Sequence, residues 1–152
     1  MNKRSIHRAA ALAALASLLA PLAVRAAGRM TEWEALVRVK LAGAAILLSF
    51  LDVDLDRAPY IGTLDDNTYR DLTVTLHKGV SYVLIGVCDD DCRNLNMKLY
   101  DEDGDYIGGD TAPNPVADLE ITPRHTQDFT LRMIMRRCTA DPCYYGLGVY
   151  SQ

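Results

Sequence analysis

The residues best suited to chemistry are carboxylates in two short acidic segments. Asp89–Asp91 lie between two cysteines, and Asp101, Asp103 and Asp105 alternate with Glu102 and Gly104. Alternating carboxylates in a tight turn supply the hard oxygen ligands that Ca²⁺ prefers. Three adjacent carboxylates at 89–91 also repel one another, so solvent or a cation must relieve them. The candidate calcium ligands are Asp89, Asp91, Asp101, Asp103, Asp105 and Asp110.

The second acidic segment begins like an EF-hand loop but does not continue as one. Tyr106 stands where that loop requires glycine, and Ala112 stands where it requires a bidentate glutamate. An Asp-Gly pair between alternating strands is also among the strongest signals for a β-hairpin turn. We therefore favour a plain hairpin turn here and keep a non-EF calcium site as the alternative.

Other side chains give little support for catalysis. After residue 26 only His77 and His125 remain as histidines, one beside a predicted turn and the other near Pro123. Paired acids could hydrolyse a glycosidic bond, but these carboxylates lie in polar turns and not in the apolar pocket that raises a catalytic acid's pKa. We expect no enzymatic activity, with a small carboxylate-dependent hydrolase as the weakest alternative. Four tyrosines could instead form an aromatic binding surface: Tyr100, Tyr106, Tyr144 and Tyr145.

The four cysteines occur as two closely spaced pairs, Cys88 with Cys92 and Cys138 with Cys143. In an exported protein an even number favours disulfide bonds over metal thiolates, and neither spacing is that of a zinc knuckle. We favour bonds within each pair, because each pair brackets a turn at the end of a strand. A crossed pairing that joins the two loops remains open.

Residues 1–26 have the pattern of a secretory signal peptide. A basic start is followed by the apolar stretch Ala9–Val24, which is short for a membrane span, and Val24-Arg25-Ala26 offers a cleavage site. The mature chain is therefore expected in the periplasm or outside the cell. Removing the four basic residues of this segment leaves 12 Lys and Arg against 20 Asp and Glu, a formal charge of −8. Because binding to a nucleic acid relies on Lys and Arg that neutralise phosphates, we do not expect a nucleic acid as a partner of so acidic a chain.

The next segment, residues 27–58, is predicted to hold one helix and an acidic linker. Thr31 can cap a helix, and apolar residues recur at helical spacing from Trp33 to Leu51. The segment 52–56 alternates aspartate with Val and Leu and ends the helix. We favour a helix packed on its own domain. The alternative is a helix that docks on a partner or contacts a membrane through residues 33–51.

Residues 59–152 show the alternation of an all-β domain. Apolar residues alternate with polar ones over 72–77, 94–100 and 129–136, and Val80–Cys88 is apolar enough for a strand buried on both faces. Tyr106-Ile107 begins a short strand that Gly108-Gly109 would stop, and Lys78-Gly79 supplies a turn. About eight short strands without helices between them predict an antiparallel β-sandwich.

Several segments of this body resemble the bacterial pre-peptidase C-terminal (PPC-like) domain. They are Tyr60–Leu64, His77–Cys92, Asn94–Asp101 with Asp110, and Arg137–Tyr145, the last typical of a disulfide-bearing subset. The resemblance covers about residues 60–152. It implies a jelly-roll-like sandwich in an exported protein and a role in secretion, binding or calcium-linked folding. Such domains usually accompany a secreted peptidase, and no peptidase precedes this one.

The sequence thus predicts an exported, non-catalytic binding or accessory module of the bacterial cell envelope. Calcium is its candidate cofactor, and an unknown envelope protein or polysaccharide is its candidate partner. The alternative from another class is a structural protein whose helix drives oligomerisation or membrane attachment.

Overall fold

The computed structural model describes residues 31–152. The predicted signal peptide, 1–26, and residues 27–30 lie outside this range. Helix α1 spans Glu32–Ser49. The hydroxyl of Thr31 caps it by accepting the backbone N–H of Glu34 at 3.1 Å. Helix and cap are those that the sequence predicts.

The rest of the described chain is β-structure, as predicted. Its nine strands are β1 Asp54–Leu55, β2 Tyr60–Leu64, β3 Tyr69–Leu76, β4 Tyr82–Cys88, β5 Cys92–Tyr100, β6 Tyr106–Asp110, β7 Val116–Ile121, β8 Gln127–Cys138 and β9 Cys143–Ser151. Two expectations are wrong in detail. The acidic linker contains β1, because Asp54 and Leu55 pair with Ser151 and Tyr150 at the end of β9. Gly108 and Gly109 do not stop β6, because both pair with β5.

The strands form two antiparallel sheets. The helix-side sheet has the order β1-β9-β4-β7, with β2 also paired to β9, and the second sheet has the order β3-β8-β5-β6. Four pairs are nested along the chain: β5 with β6, β4 with β7, β3 with β8, and β2 with β9. This nesting is that of a long hairpin rolled into a jelly roll, and it confirms the predicted jelly-roll-like sandwich. The turn at Lys78-Gly79 accordingly leads from one sheet to the other and closes no hairpin.

The core lies between the two sheets. Phe129, Leu131, Met133 and Met135 point inward from β8 while the residues between them are half-buried, so the alternation read from the sequence sets the register. Facing them are inward residues of β4 and β9, among them Leu84 and Leu147.

The outer face of the helix-side sheet is covered by α1. Val37 and Leu41 are buried against Val87 of β4. Gly146 of β9 permits this approach, because a Cβ atom there would lie 2.7 Å from Val37 Cγ1 and 2.8 Å from Leu41 Cδ1. The hydroxyl of Tyr150 donates to the Leu41 carbonyl at 3.1 Å. The prediction of a helix packed on its own domain is therefore right for this face of α1.

Candidate functional site

The cysteines lie together at one end of the sandwich, which we call the disulfide end (residues 88–92 and 138–143). Cys88 is bonded to Cys92, and Cys138 to Cys143, which is the pairing favoured by the sequence. The two loops are neighbours because Cys92 at the start of β5 pairs with Cys138 at the end of β8.

Asp89 holds these loops together. Its side chain is only 2% exposed. One carboxylate oxygen accepts the backbone N–H groups of Asp91 and Cys92, both at 3.2 Å, and the other accepts that of Tyr144 at 2.6 Å. Both oxygens are therefore used inside the fold, so Asp89 is a structural residue in this arrangement.

The repulsion expected among Asp89, Asp90 and Asp91 is relieved by a cation from α1. The ammonium group of Lys40 lies 2.8 Å from the carbonyl oxygen of Cys88 and 2.9 Å from a carboxylate oxygen of Asp90. The same lysine thereby ties the helix to the disulfide end. No local sequence pattern predicts this contact, since 50 residues separate Lys40 from Asp90.

The second acidic segment forms the opposite end of the sandwich, which we call the hairpin end (residues 101–105 and 122–126). Residues 101–105 connect β5 to β6 as the hairpin turn favoured above. One oxygen of Asp101 accepts the backbone N–H groups of Asp103 at 3.1 Å and Asp105 at 2.8 Å. Gly104 has a φ of +85°, which glycine adopts without strain. Glu102, Asp103 and Asp105 are exposed to solvent.

Asp110 is separate from this turn and has a structural role. Its two carboxylate oxygens accept the backbone N–H groups of Ala112 at 2.8 Å and Asp118 at 3.2 Å. Within residues 31–152, no three His, Cys, Asp or Glu side chains come together in a way that could hold a metal ion. The six candidate ligands thus do not fit one calcium site as they are arranged, and calcium binding stays a prediction from the sequence.

A cleft of about 750 Å³ opens at the hairpin end. Asp101, Glu102 and Asp103 form one wall, and the loop between β7 and β8 contributes Arg124 and His125 to the other. Four apolar side chains also line it: Ile107, Ile121, Pro123 and Phe129. The volume lies in the range of ligand-binding clefts. With three carboxylates against one guanidinium, the cleft favours a positively charged group.

A groove of about 310 Å³ lies on the other side of the same turn, lined by Tyr100, Gly104, Thr130 and Arg132. The rings of Tyr100 and Tyr106 meet edge to face with their centroids 5.9 Å apart, and Tyr106 is 57% exposed. These two tyrosines of the predicted binding surface therefore do lie together, beside the acidic turn.

Arg132 connects several side chains on the outer face of the second sheet, next to this groove. Its guanidinium lies 4.2 Å from the ring centroid of Tyr69 and 5.5 Å from that of Tyr100. It donates to both oxygens of Asp71, at 2.6 and 2.8 Å. These hydrogen bonds hold the pKa of the Asp71 carboxyl below its usual range. Sequence reasoning missed Tyr69, Asp71 and Arg132, because only the register of β3 with β8 brings them together.

The prediction of a tyrosine binding surface is wrong for Tyr145, and Tyr144 is separate from Tyr100 and Tyr106. Successive residues of a strand point to opposite faces. Tyr145 therefore lies fully buried in the core, where burial raises the pKa of its hydroxyl group. Tyr144 is half-buried with the apolar residues under α1. Neither residue joins Tyr100 and Tyr106.

No protein-family model matches the chain, and no curated protein matches its sequence. Among solved structures, it is similar to PliG from Aeromonas hydrophila, a periplasmic lysozyme inhibitor of g-type lysozyme. The identity is 13% and the TM-score 0.49, over 62% of this chain and 85% of that chain. Within residues 31–152, α1 falls short of the length and apolar character needed to cross a membrane.

Proposed function

We propose that this protein is an exported, non-catalytic binding module of the bacterial cell envelope, and that its binding site is the cleft at the hairpin end. Its ligand is a positively charged segment of an envelope protein or polysaccharide. The observation that supports this proposal best is the pairing of an acidic wall with apolar side chains in a cleft of ligand size. From the PPC-like resemblance we also propose that the module serves as an accessory domain.

Electrostatics favour a cation in this cleft. Glu102 and Asp103 are exposed, and apolar side chains beside them lower the local dielectric constant, which strengthens attraction to a bound cation. The formal charge of −8 on residues 27–152 adds a long-range attraction that steers such a ligand toward the protein. Ile107 and Ile121 offer contact area to the aliphatic part of a lysine, an arginine or an amino sugar.

Export is supported by the cysteine chemistry. All four cysteines are joined in intrachain disulfides, and such bonds persist in the periplasm or outside the cell. The signal-like pattern of residues 1–26 points to the same compartments.

The proposal is tested by binding measurements on residues 27–152. The probes are fluorescent hexalysine and chitosan oligosaccharides. Hexaglutamate is the oppositely charged counterpart of hexalysine, and chitin oligosaccharides are the uncharged counterparts of chitosan. We expect binding of the cationic probes and at least a tenfold loss of affinity in Glu102→Gln/Asp103→Asn. The control Asp54→Asn/Asp65→Asn removes the same charge from exposed positions remote from the cleft and is expected to lose less than twofold.

Two results would overturn the proposal. Equal losses in both double variants would show only general attraction to an acidic protein. Turnover of a glycoside panel by the unaltered protein, lost in Glu102→Gln/Asp103→Asn, would make it an enzyme.

Calcium is proposed as a second ligand of the same acidic turn. Binding to the folded state alone raises the unfolding midpoint, by about 2.7 kcal/mol of stability at a hundred times the dissociation constant. A calcium-dependent rise in Tm that a chelator reverses, and that Asp103→Asn/Asp105→Asn abolishes, would support it. An unchanged Tm would contradict calcium binding, and the proposed ligand of these carboxylates would then be the positively charged segment alone.

A further inference from the structure

The outer face of the second sheet carries a row of side chains that the acidic cleft does not use. Each of its four strands supplies one: Tyr69 of β3, Arg132 of β8, Tyr100 of β5 and Tyr106 of β6. The guanidinium carbon of Arg132 lies 4.2 Å from the ring centroid of Tyr69 and 5.5 Å from that of Tyr100. The ring centroids of Tyr100 and Tyr106 are 5.9 Å apart. We call these four residues the tyrosine row.

The two ends of the tyrosine row are open to solvent. Tyr69 and Tyr106 are each 57% exposed, while Tyr100 and Arg132 between them are half-buried. Large aromatic side chains that are exposed together are typical of binding sites. Adjacent strands lie about 4.8 Å apart, so a row across four strands is about 14 Å long. This length suits a chain of several units better than a single small molecule.

Polar groups of both hydrogen-bonding kinds lie between the rings. Arg132 has five N–H donors and uses two of them on Asp71. Each oxygen of Asp71 accepts one of these bonds and can accept another. Thr73 and Thr130 are opposite each other two residues further along the same strands, and their hydroxyl groups can donate and accept. The face therefore combines aromatic rings with donors and acceptors.

A sugar ring matches this combination. Its C–H groups form a weakly positive apolar face, which the negative face of a tyrosine ring attracts, and its hydroxyl groups donate and accept hydrogen bonds at its rim. A proline-rich peptide also packs on rows of aromatic rings. Its prolines carry no N–H group, however, so they would give Asp71 no further donor. The acceptors of this face thus favour the sugar.

The charges around the tyrosine row favour an uncharged ligand. The formal charge of −8 on residues 27–152 repels an anionic polysaccharide. Arg132 and Lys98, which are opposite each other in the register of β5 with β8, repel a cationic one. Asp71 does not offset both, because it is already paired with Arg132. In this respect the row differs from the acidic cleft on the other side of the turn.

We propose that the tyrosine row is a binding site for an uncharged polysaccharide, separate from the acidic cleft. Tyr69 and Tyr106 stack on sugar rings at its two ends. Arg132, which Asp71 holds in place, donates hydrogen bonds to hydroxyl groups in the groove of about 310 Å³ between them. The four side chains of the row lie on paired strands, so binding orders little of the chain.

The test is calorimetric titration of residues 27–152 with three uncharged glucose hexamers that differ in linkage: cellohexaose, laminarihexaose and maltohexaose. We expect at least one of them to bind with a Kd between about 10 µM and about 1 mM. Tyr69→Ala/Tyr106→Ala is expected to weaken this binding at least tenfold. Tyr69→Phe/Tyr106→Phe keeps both rings and is expected to weaken it less than threefold.

Two control variants separate this site from other surfaces. Ile46→Ala/Leu47→Ala removes two side chains of α1 that are 61% and 70% exposed, on the opposite side of the sandwich. Glu102→Gln/Asp103→Asn alters the acidic cleft. Both controls should leave the affinity for the hexamer unchanged, so a failure of this site is distinguishable from a failure of the cleft. Thermal melts of all variants show whether they stay folded.

Three results would overturn the proposal. The first is that no hexamer binds at millimolar concentration. The second is an equal loss of affinity in Tyr69→Ala/Tyr106→Ala and Ile46→Ala/Leu47→Ala, which would show only general adhesion to exposed apolar groups. The third is that decaproline binds instead of the sugars and loses its affinity in Tyr69→Ala/Tyr106→Ala, since the row would then be a peptide site.

Discussion

The disulfide end and the hairpin end are both built from short turns rich in aspartate, and they use their carboxylates differently. At the disulfide end, Asp89 is buried and both its oxygens accept backbone N–H groups. Asp90 is paired with Lys40. At the hairpin end, Glu102 and Asp103 are exposed and line a cleft.

Carboxylates of one residue type are thus distinguished by what their oxygens already bind. A buried carboxylate must be paired or hydrogen-bonded, so its oxygens are engaged by the fold and its removal costs stability. An exposed carboxylate contributes little to stability and remains available to a ligand.

Replacing one buried and one exposed aspartate by alanine gives the largest expected difference in the free energy of unfolding. Asp89→Ala leaves three backbone N–H groups without their acceptor, at about 1–3 kcal/mol for each buried donor, so we expect a loss of about 3 kcal/mol or more. Asp103→Ala is expected to stay within about 0.5 kcal/mol of the unaltered protein. Urea unfolding measures both free energies. Similar losses for the two variants would remove the distinction between the ends.

Opening one disulfide tests whether the two ends are independent. Cys88→Ala/Cys92→Ala releases a loop with a sequence separation of 4, so we expect a loss of about 2 kcal/mol in the chain-entropy model. Binding of hexalysine at the hairpin end should not change below the unfolding transition. A weaker affinity in this variant, measured where it is fully folded, would show that the ends are coupled.

Alkaline pH is expected to lower the stability of the protein through two buried tyrosines of β9, Tyr145 and Tyr150. Burial raises the pKa of the hydroxyl groups of Tyr145 and Tyr150 above the usual value of 10. Stability from these groups is fully present below pH 10 and is lost as pH rises through the folded pKa values. Tm measured from pH 8 to pH 12 should be level at first and then fall. Tyr145→Phe/Tyr150→Phe should flatten the fall.

The smallest effect concerns the face beside the hairpin end. Asp71 has a lowered pKa because Arg132 donates hydrogen bonds to it, so its contribution is present above pH 3.8 and is lost as pH falls below that value. The pair is partly exposed, so Asp71→Asn should cost at most about 1 kcal/mol at neutral pH. The difference from the unaltered protein should shrink in acid. A constant difference down to pH 2 would contradict this role of the carboxylate charge.

The local structure could be predicted from the sequence. Alternation placed the strands, Thr31 marked the start of α1, and short spacing favoured the disulfide pairs. The Asp-Gly pair also predicted the turn at Asp101–Asp105, where the side chain of Asp101 accepts backbone N–H groups only two and four residues away. Each of these features depends on interactions between residues close in the chain.

Which of these features come into contact depends on the packing of segments that are distant in the chain. The jelly-roll order brings Lys40 to Asp90, Arg132 to Asp71, and the acidic turn to the loop that carries Arg124. It also buried Tyr145 and divided it from Tyr100, because the alternation shows that neighbouring residues of a strand face opposite ways but not which face is the core. The pairing register between strands is set by packing between segments that are distant in the chain. It therefore cannot be read from the periodicity along one strand.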